Sequence, residues 1–214
     1  MKRSFVLLSL CAMTVLALVS CQDDEGEFIE TMYTGFLTGR TNSKGEVKTL
    51  KTDFGDTYTV TETEVNSKLR PDTTYRLVCS IALDGNNARI IQLVKPISYI
   101  APPDSVIPDS LRITDPVQIE SRYVGGGFLN IIVGVKVQSE ESKYKHEINY
   151  TRLDTPGKYT FTIYHDAHGD GQVLTKHAYL SIPLYGYAGL AKNDTVFLKC
   201  KGYQEDYDIK LLYK

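Results

Sequence analysis

The chain has no tryptophan and only four histidines and four cysteines in 214 residues, and each scarcity closes a class of function. Cys11 and Cys21 belong to the N-terminal region, which leaves Cys79 and Cys200 for the rest. Neither has a CxxC partner or a histidine beside it, so the pattern lacks cysteine-based zinc and dithiol redox sites. The two either form one disulfide or pack as buried thiols in strand-like runs. Neither sign of charge is in excess: the formal net charge is −2, without the basic surplus on which nucleic-acid binding rests. Helical periodicity is nearly lacking after Cys21, and no later apolar run approaches membrane-spanning length. There is no Gly-x-Ser-x-Gly elbow, no HExxH, and no glycine-rich loop entering a helix. The expectation is a protein that is not an enzyme, uses no cofactor and binds no nucleic acid.

What is there begins with Lys2-Arg3 and an apolar run from Phe5 to Val19. This is the layout of an export signal, too short to remain as a spanning helix. It ends in Leu18-Val19-Ser20-Cys21, which resembles the bacterial lipobox; the alternative is an ordinary secretory signal with an incidental cysteine. On the lipobox reading residues 1–20 are removed and Cys21 becomes a lipidated first residue, the only membrane attachment implied. Several acyl chains at about 0.8 kcal/mol per buried methylene suffice for stable anchoring. Removing residues 1–20 leaves 194 of 214 and moves the formal charge from −2 to −4, because Lys2 and Arg3 leave. Gln22-Asp23-Asp24-Glu25 resembles a surface-export signal of Bacteroidota lipoproteins, and reads equally as a solvated tether over residues 21–31. The expected location is the cell envelope: lipid-anchored, in the outer membrane, with surface exposure as the finer reading.

Short runs rich in Val, Ile, Thr, Tyr and Phe, broken by Gly, Asp, Asn and Pro, fill the remainder. The pattern predicts an all-β chain. In residues 32–96 five strands are expected, at 32–38, 46–52, 56–61, 74–83 and 88–95, enough for a small closed barrel of the OB type. Asp84-Gly85-Asn86-Asn87 supplies a hairpin turn between the last two. Residues 97–116 carry most of a cluster of prolines and read as a linker at a domain boundary, able to lie along one domain but not to pair as a central strand. Residues 117–214 predict an antiparallel β-sandwich, with strands at 146–153, 158–165, 173–182, 195–201 and 208–213. Gly125-Gly126-Gly127 reads as a sharp bend into a strand buried on both faces.

Two clusters carry candidate chemistry. Asp166, His168, Asp170 and Gly171 reproduce the opening of a calcium loop, but His168 replaces a hard oxygen ligand and His177 stands where a bidentate Glu is required. A zinc set of His165, His168 and His177 is the other metal reading. A hairpin turn built from Asp and Gly accounts for the same residues, and Asp166→Asn with Asp170→Asn is then expected to cost no more than about 1 kcal/mol. Tyr185 and Tyr187 follow a strand and are candidate ligand-binding rings, able to stack on a sugar or anchor a protein partner.

Taken together, Asp53-Phe54-Gly55-Asp56-Thr57-Tyr58, Leu69-Arg70-Pro71-Asp72-Thr73-Thr74-Tyr75-Arg76, Arg122-Tyr123 through Gly127-Phe128-Leu129-Asn130, Tyr164-His165-Asp166-Ala167-His168-Gly169-Asp170 and Ala178–Leu184 resemble the NigD-like lipoproteins of Bacteroidota over the whole mature chain. That resemblance implies an N-terminal OB-type barrel and a C-terminal β-sandwich. It implies no catalytic residues. The family name comes from a bacteriocin operon in which one member was proposed to give immunity, so the implied role is binding or interaction, with a protein or toxin as partner; the alternative is an accessory surface glycan-binding lipoprotein.

Overall fold

The computed structural model describes residues 30–66, 68–155, 158–187 and 189–213. The signal segment, Cys21 and nearly all of the tether lie outside the described residues. The fold is all-β.

Strands β1 (Thr31–Thr41), β2 (Val47–Thr52), β3 (Thr57–Thr63), β4 (Thr74–Asp84) and β5 (Asn87–Val94) close into a barrel in the order β1-β2-β3-β5-β4. Closure is completed by parallel pairing of β3 with β5, which leaves no free edge for another chain to pair with. The alternation along β4 sends Leu77, Cys79 and Ile81 into the barrel core with Leu37, Leu50 and Ile90. Arg76 has the opposite parity and points out of the barrel, toward the second half of the chain.

That half contains β6 (Gln118–Gly125), β7 (Phe128–Val137), β8 (Glu147–Thr155), β9 (Lys158–Asp166), β10 (Leu174–Pro183), β11 (Thr195–Cys200) and β12 (Tyr207–Leu212). One sheet has the order β10-β7-β6 and the other β12-β11-β9-β8. Between them lies a single core of Leu129, Ile131 and Val133 from β7, Phe161 and Ile163 from β9, and Val196 and Leu198 from β11. Two details depart from the sequence reading. The antiparallel sandwich contains one parallel pair, β9 with β11. Strand β6 was not expected at all, because a register shift between Ile119 and Ser121 breaks its period-two pattern and leaves Glu120, Ser121 and Arg122 consecutive and polar. The glycine bend is therefore the turn of a β6–β7 hairpin, with Gly126 at φ 60° and Gly127 at φ 85°.

The proline-rich segment is packed as a strap, not as a free connector. Ile97 accepts from the Ser181 amide and donates to Tyr179, lining the outer edge of β10. Tyr99 stacks on Tyr150 with centroids 4.1 Å apart, and the Arg152 amide donates to Pro102 along the edge of β8. Farther on, Thr114 bridges to His165 and Val117 to Gly202. The strap thus covers an edge of each sheet, and its prolines present no donors to a further strand.

Cys79 and Cys200 are free, each buried in a different half of the molecule. Burial pushes both thiols up to about 12, so they act as small apolar residues.

Candidate functional site

Three turns meet where the barrel touches the sandwich. The β2–β3 turn carries Asp53 and Phe54, the β6–β7 turn carries Gly126 and Gly127 directly after Gly125 at the end of β6, and the segment after β10 carries Tyr185. At their centre Arg76 forms a two-pronged ion pair with Asp53, at 2.7 and 2.6 Å, with side-chain exposures of only 5% and 2%. The guanidinium also donates from Nε to Ser181 Oγ at 2.8 Å, and from Nη2 to Asn130 Oδ1 at 2.9 Å. Asp53 accepts further from Tyr123 Oη and Asn130 Nδ2, both at 2.9 Å. Arg76 and Asp53 belong to the barrel; Tyr123, Asn130 and Ser181 belong to the sandwich. The buried pair therefore joins the two halves, its charges satisfied from both sides.

Aromatic rings enclose this centre. The Arg76 guanidinium lies over the Phe128 ring at 4.3 Å, and Phe36 meets Tyr123 and Tyr179 edge-on at 6.2 Å each. Burial, then the Asp53 charge, pushes the Tyr123 phenol far up, so it remains a donor. Gly126 is required here twice over: its φ is left-handed, and a Cβ would lie 2.3 Å from Asp53 Oδ1.

The outer surface of the same structure is apolar and exposed. Phe54 is 76% exposed, with Tyr123 stacked behind it at 6.0 Å; Tyr185 is 69% exposed, braced edge-on against Phe128 at 5.6 Å. Two large rings thus flank bare glycine backbone, on turns fixed from behind by the ion pair. Beside them, a cleft of about 330 Å³ lies between the β4 face of the barrel and Phe128 and Tyr185 of the sandwich.

The sequence pattern of the NigD-like C-terminal β-sandwich domain matches residues 100–213, which include most of the strap as well as both sheets. The chain belongs to the NigD-like family. Among solved structures it is similar to a NigD-like immunity protein from Bacteroides caccae, at 26% identity and a TM-score of 0.69, covering 83% of this chain and 90% of that one. A toxin-related protein from Parabacteroides distasonis shares the fold at 21% identity and a TM-score of 0.66, over 86% and 94% of the two chains. A lipoprotein from Bacteroides fragilis does so at 11% identity and a TM-score of 0.56, over 86% and 99%. No curated protein matches the NigD-like chain.

Of the residues singled out by sequence, Tyr185 lies on this seam. Tyr187 does not: it is 6% exposed, its hydroxyl accepts from the Ala101 amide at 2.7 Å, and the Arg152 guanidinium lies over its ring at 4.8 Å. Tyr187 is a core residue that fixes the strap, because the chain turns inward after the exposed Tyr185-Gly186 corner.

The histidine cluster divides similarly. Asp166 and His168 form an exposed turn, with Asp166 Oδ1 accepting from the His168 amide at 2.7 Å and His168 at φ 50°. Asp170, by contrast, is buried: it accepts from Ser142 Oγ at 2.6 Å and from the Gly171 and Gln138 amides at 2.7 and 3.2 Å, with His146 Nε2 at 3.1 Å. Burial pushes its carboxyl up, but these hydrogen bonds outweigh it and hold it down at about 2. Asp170 is therefore no surface turn residue, and the mild effect expected for Asp170→Asn does not apply to it. His146, which the sequence reading passed over, links Asp170 to His165, with His146 Nδ1 and His165 Nε2 2.9 Å apart. His165 Nδ1 faces the Asp115 and Pro116 carbonyls at 3.3 Å each and so carries a proton. His165 is thereby committed to the strap. No group of three or more His, Cys, Asp or Glu among the described residues is arranged to hold a metal ion.

The residues that build the seam, Asp53, Arg76, Tyr123, Asn130 and Ser181, were not singled out by sequence as a site. The available signal was Arg76, the one full charge inside the apolar alternation of β4, where an outward residue still had to be paired.

Proposed function

We propose that the protein is a lipid-anchored component of the cell envelope that acts by binding a protein partner through the seam between barrel and sandwich. The observation that carries this reading is the pair of exposed rings, Phe54 and Tyr185, held on turns locked from behind by the buried Arg76–Asp53 centre. Exposed aromatic residues on a rigid frame are the usual anchors of protein interfaces, since their area is bound with little loss of freedom. Likeness to an immunity protein and to a toxin-related protein supports a toxin as the partner, and likeness to a lipoprotein supports anchoring at Cys21. Outer-membrane placement and surface exposure belong to the same proposal.

The test is protection of bacteriocin-sensitive cells by the wild type and by Phe54→Ser with Tyr185→Ser, challenged with a toxin encoded beside the gene. The expected result is protection by the wild type and its loss in the double variant at equal membrane abundance. Equal protection by both, or by neither, contradicts the proposal.

A further inference from the structure

The cleft beside the seam has a composition that the exposed rings do not explain. Its walls are Thr38, Thr74 and Tyr75 from the barrel and Phe128 and Tyr185 from the sandwich, with Lys95 and Ser98 at the junction. A volume of about 330 Å³ at a domain junction is at the low end of the range, roughly 300–1,000 Å³, that holds small molecules.

Its chemistry is one-sided. No carboxylate lines it. Arg76 forms the floor, but its charge is neutralised by Asp53 and its donors are already used. Lys95 is different: among the described residues it has no carboxylate partner, and its ammonium sits 5.1 Å from the Tyr75 ring. The Thr74 hydroxyl has no hydrogen-bond partner among the described residues, and the Ser98 hydroxyl, which donates to the Ser181 carbonyl at 2.7 Å, retains its accepting lone pairs. Proline is the only aliphatic residue in the lining. A peptide anchor would be expected to meet aliphatic walls. Hydroxyls, an exposed aromatic ring and one unneutralised cation instead match a sugar: the apolar face of its ring against Tyr185, its hydroxyls toward Thr74 and Ser98, and a carboxylate toward Lys95.

We infer that this cleft binds a saccharide bearing a carboxylate group. The inference goes beyond protein recognition at the rim and is separable from it, since Phe54 lies outside the cleft and Lys95 outside the exposed aromatic pair.

The experiment is calorimetric titration of the mature protein with digalacturonate and with sialyllactose, against neutral galactobiose and an acetylated, amidated tetra-aspartate peptide. The expected result is binding of at least one acidic saccharide, at least tenfold tighter than galactobiose and weakened by raised salt. Lys95→Met should lose that preference by at least tenfold, Tyr185→Ala should lose binding of all sugars, and Phe54→Ser should leave both unchanged. Thermal melting of each variant separates a lost site from a lost fold. Absence of binding by both acidic saccharides, equal affinity for galactobiose, or binding of the peptide alone overturns the inference. If Phe54→Ser abolishes toxin protection while the sugar titration fails, only the cleft assignment falls.

Discussion

Asp53→Ala removes the counterion of a guanidinium that stays buried. The Arg76 side chain is 5% exposed and donates to both Asp53 oxygens, so the substitution leaves an uncompensated charge, a loss of about 3–5 kcal/mol. Tyr123 and Asn130 lose an acceptor as well, which places the cost toward the upper part of that range. For a chain of this size 1 kcal/mol moves the melting temperature by about 2–4 °C, so a fall of roughly 6–20 °C is expected. Arg76→Met combined with Asp53→Asn removes both charges and keeps an acceptor for the sandwich residues. It should therefore cost less than the sum of Arg76→Met and Asp53→Asn made singly, a departure from additivity that marks the pair as coupled. Calorimetric melting of wild type, single and double variants is the assay. The wild type should unfold in one transition, because the same centre belongs to both halves. A loss under about 1 kcal/mol for Asp53→Ala, or two separate transitions in the wild type, refutes the reasoning.

Four further outcomes are expected. Cys21→Ala should be recovered in soluble fractions, and its retention on membranes after a salt wash contradicts lipid anchoring at that residue. Stability should fall on acidification in two stages. His165 is pushed down by burial and by His146, so the unfolded chain takes up its proton first, below about pH 6.5. The Asp170 carboxyl, held at about 2, is favoured in the fold above its unfolded value near 3.9, and that contribution is lost as pH falls from about 4 toward 2. Melting temperatures from pH 7 to pH 2 check both, and Asp170→Asn should diminish the lower stage, which it shares with the Asp104 carboxyl held down against its burial by Thr151, Tyr164 and Arg112, while leaving the upper stage in place. Asp166→Asn should change stability by no more than about 1 kcal/mol, whereas a measurable loss for Asp170→Asn at pH 7 is expected from its buried hydrogen bonds. Limited proteolysis should leave residues 97–103 intact, since the strap pairs with β10 and β8; rapid release of separate barrel and sandwich fragments contradicts its packing.

Strand positions were legible because each strand with one buried face carries a period-two pattern, as in β4, where Leu77, Cys79 and Ile81 alternate with their neighbours. Strand β6 escaped because a bulge breaks that period, and the parallel entry of β11 beside β9 has no local signal. The strap was misjudged for a related reason: proline reports lost donors, but Ile97, Pro102 and Ile113 take part through their carbonyls, which proline leaves intact. The seam was illegible because its members lie far apart in the chain, with Asp53 and Asn130 brought together only by docking of the two halves. Tyr185 and Tyr187 show the limit of composition. Two residues apart in one loop, they differ only in which way the chain turns after Gly186.

The central claim is that the exposed seam is the recognition surface. Its most direct test places a photo-cross-linking residue at position 54, at position 185, and, as a control on the β12 strand of the other sheet, at position 210, in the membrane-anchored protein challenged with any toxin encoded beside its gene. The account predicts cross-links to that toxin from positions 54 and 185 and none from 210. Cross-links from 210 without any from 54 or 185, or none from the two seam positions, would contradict it.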